Sequence, residues 1–74
     1  MLRRLNVIVE KDINGYYAYC PELEGCHTQG ETFDEVMKNI KEAIELYVET
    51  LNEEEKKELQ TKEIITTIYE VSLA

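Results

Sequence analysis

The residue types best suited to metal or redox chemistry are Cys20, Cys26 and His27. A zinc site takes three or four nitrogen and sulfur ligands in tetrahedral reach. The run Cys-x5-Cys-His offers three at most, and neighbours such as Cys26 and His27 point to opposite faces of a strand. No metal site is therefore expected. Buried free thiols are the default reading of the two cysteines. A site completed across copies, or a redox bond between the strands that carry them, are the alternatives. His27 is the only histidine. A dyad with Cys26 fails on the same geometry, and no other nucleophile is placed by a base. His27 reads as a surface or interface residue.

Glu10, Asp12, Glu31 and Asp34 are the acidic residues near expected strand ends and the helix start. A two-metal nuclease needs several carboxylates converging on its ions, because the metals activate the nucleophile and stabilise the leaving group. Asp12 falls in a hairpin. Asp34 falls in the first turn of a helix, where the dipole favours a negative charge. Both placements point to structural roles, so no catalytic residue and no cofactor is expected. The tyrosines 16, 17, 19, 47 and 69 supply most of the aromatic area. Tyrosines on a sheet can stack bases, and they also suit protein interfaces, where an apolar body and a polar tip both find use. Nucleic-acid binding asks for a basic surface, whereas this chain has 16 acidic residues against 8 basic ones, a net charge of −8. The candidate partner-binding residues are accordingly Tyr17 and Tyr19 with the acids Glu22, Glu24 and Glu31 around them. The partner should be basic.

These residues must be positioned by very little protein. Seventy-four residues make one domain, 1–74. A core of that size supplies only about 3–5 kcal/mol, so small folds lean on a disulfide, a metal or self-association. With 43% hydrophobic and 32% charged residues the composition is that of a globular domain. No run approaches a membrane span. Met1-Leu2-Arg3-Arg4-Leu5 lacks the apolar stretch of a signal peptide. A cytoplasmic location follows as the expectation, and reduced thiols with it.

Leu5, Val7 and Val9 alternate, with Ile8 facing the other way, which predicts a first strand over 3–11. Asn14-Gly15 is a hairpin signal, and Tyr16–Cys20 reads as the returning strand. Pro21 and Gly25 bracket a turn before a short third strand, Cys26–Gln29. Thr32 and Glu35 form a capping box, in which Glu35 should reach back to the Thr32 amide. Val36, Met37, Ile40, Ala43, Ile44, Tyr47, Val48 and Leu51 then recur at helical spacing. The polar stretch 52–62 extends that helix or forms a short second one. Glu63–Leu73, with Ile65, Thr67, Tyr69, Val71 and Leu73 on one face, predicts a last strand. The fold class is α+β, in the order β-β-β-α-β. The crossover places the fourth strand parallel to the first, giving a four-stranded mixed sheet of order 3-2-1-4. One main helix covers one face, leaving the other for water, a partner or a second copy. A homo-oligomer, dimer or tetramer, is expected.

The segment from Asp12 to Thr32 resembles the signature of HicB-like antitoxins: an acidic, glycine-bearing hairpin, an aromatic-alanine strand (Tyr17-Ala18-Tyr19), then Pro21-x-Leu23-x-Gly25-Cys26, Thr28-x-Gly30 and a helix with Glu35, Asn39 and Glu42-Ala43-Ile44. The match runs without gaps over roughly residues 5–50. Cys20 stands where such proteins more often carry an aromatic or aliphatic residue, and Glu24 where proline is common. The resemblance implies a partial RNase H-like fold and a non-catalytic role: neutralising a small basic HicA-type mRNA-cleaving toxin by covering its RNA-binding surface. Many HicB proteins add a C-terminal DNA-binding segment. Here Ala74 follows the last expected strand, so a stand-alone domain without direct nucleic-acid binding is expected. The competing readings are a self-assembling domain with no toxin partner and a metal-dependent nuclease of RNase H type.

Overall fold

The computed structural model describes residues 2–74. Three strands, β1 (Ile8–Asp12), β2 (Gly15–Tyr19) and β3 (His27–Gly30), precede two helices, α1 (Phe33–Glu49) and α2 (Glu53–Thr61). The strands form one antiparallel sheet in the order β1-β2-β3. The β1–β2 reversal turns on Ile13 and Asn14. The Asp12 carboxylate accepts from the Asn14 amide at 2.8 Å, and Gly15 takes the positive φ of +124°. Asn14 itself stays at negative φ, so the Asn-Gly pair works through its glycine alone.

Thr32 caps α1 by accepting from the Glu35 amide at 3.1 Å. The Glu35 carboxylate reaches the Glu31 amide at 3.3 Å and not that of Thr32, one residue further back than a capping box predicts. Ala18, Cys20, Leu23, Cys26, Val36, Ile40 and Leu59 form the buried core. Leu5, Val7, Val9, Tyr16 and the inner face of α1 pack around it. Gly30 lets β3 meet the helix, since a Cβ there would lie 2.6 Å from the Val36 nitrogen.

Residues 52–62 resolve into a separate helix and not an extension of α1. The Thr50 amide closes onto the Tyr47 and Val48 carbonyls, and Asn52 and Glu55 then form a full capping box. α2 is anchored by buried Leu59 and by the Arg3 guanidinium, which donates to the Leu59 and Lys62 carbonyls at 3.3 and 3.0 Å. A cation there also suits the negative end of the helix dipole. Of the two alternatives for this stretch, the short second helix beside the main one is the outcome.

The largest difference lies after Lys62. The expected fourth strand, Glu63–Leu73, has no regular structure, and the mixed four-stranded sheet of order 3-2-1-4 is absent among the described residues. The partial RNase H-like fold that the family resemblance implies is thus matched only in its α+β class and its three antiparallel strands. The physical reason is that a strand cannot satisfy its own backbone; its amides and carbonyls need a neighbour. This segment leaves the body of the domain, with Ile68 92% and Leu73 93% exposed. Among the described residues, no helix is long and apolar enough to cross a membrane.

Candidate partner-binding surface

The sheet presents one face to α1 and leaves the other uncovered, and strand alternation decides which residues lie on each. Ala18 and Cys20 are buried on the helix side, and Tyr16 joins them there, edge-on to Phe33 at 6.3 Å with the Lys11 ammonium 5.6 Å from its ring centre. Tyr17 and Tyr19 therefore stand on the open side. Cross-strand register sets Glu10 and Gln29 beside Tyr17, and Ile8 and His27 beside Tyr19. The rings form a small platform: Tyr17 and Tyr19 lie 5.8 Å apart, and Tyr17 and His27 5.7 Å, both tilted by less than 40°.

The two tyrosines are half-buried although no element covers them, because they cover one another and the backbone between. At the loop end, exposed Glu24 shares a shallow groove of about 210 Å³ with Tyr17, Tyr19 and His27. At the hairpin end, exposed Glu31 shares an open groove of about 680 Å³ with Tyr17, Glu10 and Asp12. Tyr17 lines both grooves, so four of the five candidate residues, Tyr17, Tyr19, Glu24 and Glu31, border one continuous surface.

Glu22 stands apart. It is buried, at 2% exposure. Both carboxylate oxygens accept from the Asn6 amide at 3.1 Å, one also accepts from Asn6 Nδ2 at 2.9 Å, and the Cys20 thiol lies 3.7 Å away. Its carbonyl receives the Lys62 ammonium at 3.0 Å. Glu22 thus latches the segment before β1 onto the loop after β2 and the end of α2. Charge counting alone does not find that role, and a glutamate between Pro21 and Leu23 carries no burial signal of its own. Ile8 and Glu10 are additions to the expected surface, and His27, expected as a surface or interface residue, lies on it with them. They follow from alternation once Cys26 is fixed as an inward residue.

The cysteines are free and buried. Burial pushes the Cys20 thiol up from its ordinary value, and the negative charge of Glu22 adds to the effect; burial alone raises Cys26. Thiols held protonated in this way are poor nucleophiles and poor metal ligands. Among the described residues, no group of three histidine, cysteine or acidic side chains could hold a metal ion. Asp12 serves its turn and Asp34 lies in the first turn of α1.

Comparison with known proteins identifies the family of the chain. The family model described as "HicB_like antitoxin of bacterial toxin-antitoxin system" matches residues 5–72. A UPF0150 protein of Helicobacter pylori is 43% identical over 70 residues, covering 95% of this chain and 97% of that protein. A UPF0150 protein of Synechocystis is 59% identical over 46 residues, 61% of this chain and 58% of that one. A second from Synechocystis is 38% identical over 69 residues, covering 92% and 96%. No solved structure matches. The chain belongs to the HicB-like antitoxin family of bacterial toxin-antitoxin systems.

Proposed function

We propose that this chain neutralises a small, basic, HicA-type mRNA-cleaving toxin by laying its open sheet face over the toxin's RNA-binding surface. The observation that carries the reading is the tyrosine–histidine platform flanked at both ends by exposed carboxylates, Glu24 at one end and Glu10 and Glu31 at the other. An RNA-binding protein offers cations arranged for phosphates, and a surface of net charge −8 presents them with a substitute. Tyr17 and Tyr19 supply the desolvated area that gives such interfaces most of their affinity. The same charge disfavours RNA or DNA as the ligand of this chain.

Aromatic and acidic positions should fail differently against a purified HicA-type toxin from the same genome. Tyr17→Ser/Tyr19→Ser should speed dissociation and weaken binding by about tenfold or more, as loss of central aromatic anchors does. Glu24→Lys/Glu31→Lys should act chiefly on the association rate, with an effect that fades as salt is raised. Binding unaltered by both double substitutions would remove this face from the interface.

A further inference from the structure

We infer that Glu63–Leu73 is an exchanged strand, which pairs with the open edge of β1 in a second copy of this chain. The inference stands independently of the toxin reading and uses a different surface.

The edge can be read from the hydrogen bonds. The Cys20 amide donates to the Cys26 carbonyl at 3.0 Å, so on β2 residues 16, 18 and 20 turn their backbone groups toward β3, and 15, 17 and 19 turn theirs toward β1. Their partners Asp12, Glu10 and Ile8 face β2, which leaves the backbone groups of Val7, Val9 and Lys11 pointing outward. The other edge of the sheet is treated differently. The outward Gln29 carbonyl of β3 is taken by the Asn39 amide from α1 at 2.9 Å. Among the described residues the β1 edge has no such cover, and unpaired edges recruit strands.

The tail fits that vacancy. Ile65, Thr67, Tyr69, Val71 and Leu73 alternate, the pattern of a half-buried strand. Laid along β1, that row would continue the one formed by Leu5, Val7 and Val9, which already packs on the core. The tail does not lie on its own sheet: Ile65, Ile68, Tyr69, Val71 and Leu73 are 70–93% exposed. Exchange between two identical chains lets each tail meet the other's edge, and a two-fold axis closes the assembly.

The surface of the lone chain supports this occupant. A folded monomer of this mass exposes about 4,700 Å² by the usual scaling, whereas this chain exposes 6505 Å². The excess is larger than the roughly 800 Å² that each partner contributes to a standard interface. The radius of gyration tells the same story, 14.5 Å against the roughly 11 Å of a compact chain this long.

Light scattering on the full chain, compared with two proline variants, tests the inference. Thr66→Pro/Thr67→Pro breaks a ladder in the tail whichever way the strand faces, and it touches nothing in the body. Lys11→Pro removes an outward amide of β1 and spares the β1–β2 ladder. The full chain should run at twice its 8.7 kDa. Each variant should fall to the mass of one chain while keeping the circular dichroism of the folded body. A monomeric full chain would overturn the inference, and so would a dimer that survives either variant. As a second readout, isotope-filtered NOEs in a mixed labelled–unlabelled dimer should join Ile65–Leu73 to Val7 and Val9 between chains. If those contacts are found within one chain only, the exchange is wrong.

Discussion

Helix α1 and the segment 63–73 are opposite in how their backbones are satisfied. The helix closes its hydrogen bonds within itself, is capped by Thr32, and needs the sheet only to cover Val36 and Ile40. The tail has an equally regular apolar row, but a strand's hydrogen bonds belong to its neighbour, and alone it stands in water. An amphipathic helix is thus complete once it finds one apolar surface, whereas a strand is complete only when it also finds an edge.

That contrast can be broken most sharply in the core. Ile40→Ala should lower the unfolding free energy of the body by about 2–5 kcal/mol, whereas Ile68→Ala should leave a dilute, monomeric sample within about 0.5 kcal/mol of the parent. Denaturant melts at low protein concentration measure both, and an equal loss at the two positions would mean that the tail packs on its own domain. Gly30→Ala comes next, since its Cβ would strike backbone atoms of Val36. The expected cost is about 1–3 kcal/mol, from the shift forced on α1. Glu22→Ala, which strands the Asn6 amide, should also cost about 1–3 kcal/mol by leaving a part-buried donor unpaired. It should loosen the segment before β1 first, seen as faster hydrogen exchange at Leu5 and Asn6.

The smallest effect is a pH dependence. Cys20 and Cys26 have folded values raised above the ordinary 9.0. The unfolded chain therefore loses these protons first as pH rises. Their contribution to stability is fully present below the ordinary thiol value and is lost as pH climbs through the raised folded values. Melts at neutral and alkaline pH should show the fall in the parent and a shallower one in Cys20→Ala/Cys26→Ala. The same burial should keep both thiols unreactive to alkylating agents until the body unfolds.

Much of this was legible in the residues because it is local. Thr32 and the spacing of Val36, Ile40, Ala43 and Tyr47 specify a helix whatever surrounds it, and Tyr17 and Tyr19 follow from alternation against buried Ala18 and Cys20. The family likeness draws on the same local features, from the hairpin at Asp12 through the first helix, within a match that spans residues 5–72. What could not be read are features settled between distant parts. Glu22 is buried because Asn6 and Lys62 converge on it from both ends of the chain. The end of α1 at Glu49 depends on Asn52 competing as a new cap. The tail carries the alternation of a strand, but alternation names no edge to pair with, and in the lone chain the segment has no regular structure.

The most direct test is cleavage of RNA by the HicA-type toxin in the presence of increasing amounts of this chain. The account predicts that cleavage stops near one chain per toxin, and that Tyr17→Ser/Tyr19→Ser must be added in about tenfold or greater excess for the same protection. Cleavage that continues undiminished in an excess of the parent chain would contradict it.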